Sequence, residues 1–192
     1  MPGFMNSFTP KSRSLVAALV LLALATFAVV NSVPAEARKG TPCSRYGDKS
    51  PGNLGKKKAR NAVICLINKQ RDSHGRGDLH RNDKLIEAAR KHSGTMARKG
   101  CFSHECRGER GLRGRLEAVG YLHGGLSRWA YGENIAYGSG GGGTPREIVS
   151  DWMKSSGHRA NILSRTFEDI GVGFYNKSGK GYYTADFGMR GG

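Results

Sequence analysis

The sequence predicts an α+β sandwich with an antiparallel sheet, and three observations carry that prediction. Segments with helical apolar spacing come first, segments with two-residue alternation cluster late, and residues 38–192 are numerous enough for one domain with its own core. No internal repeat is visible in the sequence.

The first 37 residues read as an export signal. Lys11 and Arg13 precede an apolar run from Leu15 to Val30, and Ala35-Glu36-Ala37 offers small residues for cleavage after Ala37. The run is close to the ~20 apolar residues of a membrane span, so a retained anchor is the alternative; after cleavage no span remains. Residues 38–58 are basic and rich in Gly and Pro, and read as a tail or linker ahead of a domain over 59–192.

Within that domain, Val63, Ile64 and Ile67 recur at helical spacing between Ala59 and Arg71, before the breaker His74-Gly75-Arg76-Gly77. Asn82 or Asp83 caps a second helix with Leu85, Ala89, His92 and Met96 on one stripe and Gly100 at its stop. A short third helix covers Leu112–Val119, closed by Gly120. Trp129–Tyr137 is a strand with Tyr131, Glu133, Ile135 and Tyr137 on one face.

Gly138–Gly143 reads as a flexible glycine loop. Thr144, Pro145 and Glu147 open a fourth helix as a near capping box, with Ile148, Val149, Trp152 and Met153 on its apolar side. The last two strands hold Ile170, Val172 and Phe174 between glycines, then Tyr183, Ala185 and Phe187 alternating with Tyr182, Thr184 and Asp186.

The chain has a formal net charge of +16, and loss of Lys11, Arg13 and Glu36 with the signal lowers it by one unit. Its cations are spread along the chain apart from Lys56-Lys57-Lys58. There is no basic–aromatic module, so specific nucleic-acid binding is not expected. In an exported protein such charge favours anionic wall polymers, lipid headgroups or acidic glycans.

Four cysteines in an exported chain point to disulfides. Cys101 with Cys106 closes a tight ring around His104, and Cys43 with Cys65 pins the tail to the first helix. The rival is a zinc knuckle of Cys101, His104 and Cys106.

Three residues stand out as candidate chemistry. Glu133 is the lone carboxylate in the aromatic stretch WAYGENIAYG, His158 follows a glycine at the end of the helix-like run WMKSSGHRANIL, and His104 lies in FSHEC. Two imidazoles and a carboxylate match the ligand count of an open zinc site. The alternative is a hydrogen-bonded polar cluster that stabilises the fold. His92 reads as a packed core histidine, and His74, His80 and His123 as surface. Trp152 reads as a core anchor, Asn134 as a partner for cleft backbone, and Arg159 as a cap for helix carbonyls. Ser103 beside His104 is discounted as a Ser–His pair, and Asn176-Lys177-Ser178 fits a glycosylation acceptor.

The segments ICLINKQR, LIEAARKHSGTMARKGCFSH, GYLHGGLSRWAYGENIAYG, EIVSDWMKSSGHRANIL, DIGVGF and YYTADFG occur in the order found in the CAP/SCP superfamily, which the chain resembles from about Ala59 to Met189. GHRANIL is similar to the bacterial branch. The resemblance implies a three-layer α-β-α sandwich with a large cleft, lined in the family by two histidines and two glutamates that bind zinc or another divalent ion in some members. Its histidines match His104 and His158, and the glutamate of its GEN motif matches Glu133. The second glutamate falls one turn past the helix tryptophan, where this chain has Met153, Lys154 and Ser155 after Trp152, so that carboxylate is absent.

The expected function is a secreted binding or interaction module whose cleft, through His104, Glu133 and His158, responds to zinc or another divalent cation. Its ligand would be a lipid or sterol, a cell-wall polymer or a protein. One rival is a metal-dependent, protease-like hydrolase using the same three residues, although HExxH is missing and no general base is evident. The other is a cationic adhesin for wall polymers or anionic lipid.

Overall fold

The computed structural model describes residues 41–192, so the signal segment 1–37 lies outside the described residues. Helix α1 is Pro42–Tyr46, and α2 runs Lys56–Ser73 with Ala59, Ala62, Val63, Leu66 and Ile67 buried along one stripe. Helix α2 starts three residues earlier than its apolar spacing predicts, because the exposed Lys56-Lys57-Lys58 form its first turn. The two-residue strand β1 (His80–Arg81) leads into α3 (Asp83–Lys99). The Asn82 side chain accepts from the backbone N–H of Lys84 (3.1 Å) and Leu85 (3.3 Å), and Gly100 ends α3 in the left-handed region at φ 64°.

Helix α4 covers Leu112–Ala118, followed by the long strand β2 (Arg128–Ser139). Helices α5 (Pro145–Lys154) and α6 (Ser156–Leu163) come next, then β3 (Asp169–Lys177) and β4 (Lys180–Gly191). As the sequence predicts, Thr144 caps α5 by accepting from the Glu147 N–H at 3.3 Å.

The strands form one sheet in the order β1-β3-β4-β2. Only the short β1–β3 pair is parallel; β3–β4 and β4–β2 are antiparallel. On one face, Ile170, Val172, Phe174, Tyr183, Ala185 and Phe187 pack with Val63 and Ile67 of α2, Ile148 and Trp152 of α5 and Ile162 of α6. On the other face α3 lies against β3 and β4. The result is the three-layer α-β-α sandwich, with both faces of β4 buried.

Two glycines make the second layer fit. A Cβ at Gly171 would come within 2.1 Å of the Leu85 backbone, and one at Gly173 within 2.1 Å of the Ala89 carbonyl oxygen. The α3 backbone rests on these two positions, so the alternation of Ile170, Val172 and Phe174 with glycine records a helix on the opposite face.

Four local expectations change. The segment read as a tail carries, from residue 41 on, α1 and a 3₁₀ turn at Pro51–Asn53, with Cys43, Pro51 and Leu54 buried and the Cys43–Cys65 disulfide holding it to α2. Gly138–Gly143 is not a free loop: β2 continues to Ser139, Gly140–Gly143 is a 3₁₀ turn, and Tyr183 Oη donates to the Gly143 carbonyl at 2.7 Å. The run around His158 breaks at Ser155 (φ −86°, ψ 123°), so His158 sits in the first turn of α6 rather than at a helix end. Asn176 spends its amide inside the fold, donating to the Pro51 carbonyl at 2.7 Å and accepting from the Gly179 N–H at 3.0 Å, which argues against a glycan there.

Arg71 ties α2 to the end of α6. It is buried, and its guanidinium donates to the carbonyls of Ile162 (2.7 Å), Ser164 (2.8 Å) and Gly77 (2.6 Å). This satisfies carbonyls that the end of a helix leaves free.

Replacing Gly171 by Ala should force α3 off the sheet and destabilise the fold by about 3 kcal/mol, the upper range for overpacking. Urea unfolding followed by circular dichroism checks this; a Gly171→Ala protein as stable as the parent would contradict the close approach.

Candidate functional site

Register places the carboxylate. Glu133 lies directly across from Asp186 of β4. The Ile135 carbonyl accepts from Trp152 Nε1 (3.0 Å) and the Glu133 carbonyl from Asn161 Nδ2 (3.2 Å), so these backbone groups point away from β4 along the free edge of β2. Glu133 and Asp186 therefore form a non-hydrogen-bonded pair, the kind that brings facing side chains closest. Both side chains point to the α3 side of the sheet.

Only 2% of the Glu133 side chain is exposed, so its charge requires partners. Arg115 of α4, itself 6% exposed, donates Nη2 to Glu133 Oε2 in a short, charge-assisted bond. His104 Nδ1 pairs with Oε1 at 2.8 Å, and His92 Nε2 stands 3.8 Å from Oε2. Arg115 Nη1 also donates to the carbonyls of His104 (2.8 Å) and Arg110 (3.2 Å), fastening the loop after α3 to the carboxylate. His92 turns its Nδ1 to Glu109 Oε2 at 2.9 Å.

Burial pushes the Glu133 carboxyl up, but the His104 hydrogen bond and the charges of Arg115, His92 and His104 outweigh it and hold the group below the usual carboxylate range. The same hydrogen bond raises His104 above its ordinary 6.5, against burial and the Arg115 charge. Asp186 goes the other way: it is fully buried, both oxygens lack a hydrogen-bond partner among the described residues, and burial plus the Glu133 charge hold it well above the usual range.

His158 does not join this cluster. It lines a groove of about 300 Å³ along the edge of β2 with Phe102, Ile135, Tyr137, Trp152 and Ser155. Burial lowers its affinity for a proton, and the nearby His104 charge lowers it further. Its backbone carbonyl accepts from Asn134 Nδ2 at 3.0 Å, and Asn161 Nδ2 donates to Asn134 Oδ1 at 2.9 Å. Phe102 and Tyr137 stand edge to face at 4.7 Å on the outer wall, and both are about half exposed.

The two cystine bridges join Cys43 to Cys65 and Cys101 to Cys106, so the knuckle of Cys101, His104 and Cys106 has no free thiolate to offer. Ser103 Oγ accepts from the Glu105 N–H rather than facing His104. Arg159 donates to the Met153 carbonyl at 3.2 Å, capping α5, and Trp152 is buried in the core as expected. His74, His80 and His123 are exposed.

His104, Glu133 and His158 do not fit a three-ligand zinc centre as arranged. Both oxygens of Glu133 are engaged, one of them by a guanidinium that a metal ion would have to displace. Among the described residues no group of three or more His, Cys, Asp or Glu side chains converges as metal ligands do.

Sequence reasoning read His92 as core, which its burial bears out, but missed its pairing with Glu109. It also missed Arg115, Glu109 and Asp186. Arg115 left a signal, since it shares the apolar stripe of Leu112, Leu116 and Val119; so did Asp186, a charge inside an alternating apolar strand. Glu109, in an irregular loop, left none.

Residues 65–187 match the CAP family of cysteine-rich secretory proteins. The uncharacterized protein YkwD of Bacillus subtilis (strain 168) is 36% identical over 112 residues, 58% of this chain and 40% of that protein. The uncharacterized membrane protein YlbC of the same organism is 33% identical over 125 residues, 65% of this chain and 33% of its own length. This chain thus spans well under half the length of these relatives. An extracellular protein containing an SCP domain, from Bacillus anthracis str. Ames, has a crystal structure similar at TM-score 0.60 and 27% identity, over 71% of this chain and 42% of that one. An outer surface protein from Borrelia burgdorferi shares the fold at TM-score 0.57 and 15% identity, over 67% of this chain and 90% of that one.

The opposed histidine shifts give a direct expectation. In an NMR titration His104 should titrate above 6.5 and His158 below it, and Glu133→Gln should bring His104 back toward 6.5. The His104–Glu133 contribution to stability should be fullest at intermediate pH. It should fall on the acid side, as Glu133 protonates at its lowered pKa, and on the basic side, as pH rises through the raised pKa of His104. Arg115→Met, which strands the buried carboxylate, should cost about 3–5 kcal/mol in urea unfolding.

Proposed function

This chain belongs to the CAP family of cysteine-rich secretory proteins, and on that premise we propose that it acts outside the cytoplasm as a binding module whose cleft holds a ligand without hydrolysing it. The observation that carries this reading is the engagement of Glu133, the one carboxylate of the expected triad, by Arg115 and His104. A hydrolase needs a base free to take a proton from the attacking nucleophile. A carboxylate held ionised by a buried guanidinium is a poor base and is poorly placed to ligate a metal.

What remains accessible is a recognition surface. The groove offers a half-exposed aromatic wall in Phe102 and Tyr137, a Trp152 floor and the His158 imidazole. Fixed aromatic walls with a few convergent polar groups suit ligand binding. Action outside the cytoplasm is supported by the two disulfides with no free cysteine among the described residues, by the export-like start of the chain, and by the extracellular description of the SCP-domain relative. Divalent ions bind weakly in this reading, through imidazole nitrogens of His104 and His158 alone.

A second reading, the cationic adhesin, rests on the net charge of +16 and on exposed cations such as Lys56, Lys57 and Lys58. Its binding would be electrostatic and indifferent to the groove.

Elemental analysis of the mature protein after dialysis at neutral pH should find substoichiometric zinc, and a mixed peptide substrate should remain intact. Stoichiometric zinc together with peptide hydrolysis, both lost in Glu133→Gln, would move the protein to the metal-dependent hydrolases. Association with anionic polymer beads that collapses with added salt and survives His158→Ala would mark the adhesin instead.

A further inference from the structure

Strand register gathers another surface at the end of the sheet opposite Asp169. Tyr137 of β2, Tyr182 of β4 and Tyr175 of β3 are direct cross-strand partners and form a row on the α3 side. Two residues further along each strand, Ser139, Lys180 and Lys177 make the next row on the same face. Helix α3 stops at Lys99 and leaves part of these rows open, with Tyr137 about half exposed and Lys177 exposed.

The rows carry cations without countercharge. Lys180 Nζ lies 4.3 Å from the Tyr137 ring centre, and Lys56 and Arg98 stand over the Tyr175 ring at 5.1 and 5.7 Å. Each ring attracts its cation through the aromatic quadrupole, which gathers the charge on one patch. Lys177 Nζ donates to the Ala97 carbonyl near the end of α3 at 2.9 Å. None of these four cations makes an ion pair among the described residues, and no Asp or Glu occurs between Glu87 and Glu105 or between Asp169 and Asp186. Apolar surface adjoins them. Among the described residues the large apolar side chains left exposed are Phe102, Trp129 and Tyr137, and two of the three, Phe102 and Tyr137, meet here edge to face at 4.7 Å.

We propose that this end of the sheet docks on an anionic phospholipid surface. Lys56, Arg98, Lys177 and Lys180 meet the headgroup phosphates, and Phe102 and Tyr137 enter the interfacial layer, where amphipathic and aromatic side chains are favoured. A soluble polyanion would satisfy the same lysines but offer nothing to the Phe102 phenyl ring. The proposal rests on the adhesin reading, to which it gives a place on the fold and one partner, and it does not require the groove to be filled.

Sedimentation with vesicles tests it. The mature protein should bind vesicles of phosphatidylcholine and phosphatidylglycerol in equal parts and leave vesicles of phosphatidylcholine alone. A cation near an anionic bilayer strengthens binding about fivefold, so Lys177→Gln with Lys180→Gln should weaken it about twenty-five-fold. Lys69→Gln with Arg165→Gln, an equal loss of charge from exposed positions elsewhere, should weaken it less than about threefold, since distant charges are screened. Phe102→Ser should cost about fivefold through lost apolar contact. Unchanged amide spectra would establish that the variants fold. Three outcomes overturn the proposal: no binding to the mixed vesicles, a control pair as damaging as the patch pair, or Phe102→Ser binding like the parent. Capture on polyphosphate beads with no vesicle binding would leave the adhesin reading standing with a polymer as its partner, and failure on both surfaces would remove that reading as well.

Discussion

A carboxylate withdrawn from water must carry its countercharge with it, and at Glu133 that countercharge is Arg115. The pair does more than neutralise a buried charge. Because the Arg115 guanidinium also donates to the carbonyls of His104 and Arg110, it draws the loop between α3 and α4 down onto β2. That loop is itself shortened into a ring by the Cys101–Cys106 disulfide, so His104 is presented to Glu133 with little freedom left. The position of His104 follows from this buried ion pair, and its raised pKa from the Glu133 oxygen that it meets there.

The partners of that pair reach the same place only because the sheet is covered on both faces. Gly171 and Gly173 let the α3 backbone lie directly on β3, and this brings His92 inside the protein behind Glu133. The opposite layer, α2 with α5 and α6, supplies Trp152 and Asn161, which cap the outward carbonyls of β2. An edge strand with those carbonyls capped is protected from pairing with another chain, and its margin becomes the floor of a groove. The groove with His158 thus runs along the outer edge of β2, beside the buried cluster around Glu133.

The engagement of Glu133 governs the chemistry. The residue types of a metal site are present, but the carboxylate is turned toward a guanidinium, and the His158 imidazole lines the groove rather than pairing with that carboxylate. Glu109 extends the buried cluster through His92 to a small cavity between α3 and α4, so charged groups line a continuous path from the loop at His104 to that space. The electrostatic character of that path is set by Glu133 and Asp186, two carboxyls of one cross-strand pair whose pKa values their surroundings drive in opposite directions, Glu133 down and Asp186 up.

The local rules of the chain were legible without coordinates. The caps at Asn82 and Thr144, the stop at Gly100, the two disulfides and the apolar alternation of β3 and β4 depend on neighbours in sequence or on few choices, and the order of the family's segments then implied the layers. His104 and Glu133 were named for the same reason, as unusual residues in structured settings. Three features needed the tertiary structure. Arg115 lies eighteen residues from Glu133 and His92 seventeen from Glu109, and nothing local records either pairing. The ordered turn at Gly140–Gly143 depends on Tyr183, forty residues away, and the break at Ser155 moves His158 into the next helix. Sequence alone determined which side chains could carry chemistry, because composition and spacing are properties of the chain. Which oxygen of Glu133 faces which cation was decided only by the packing of α3 and α4 over the sheet, since a buried charge takes the partners that the fold brings within reach.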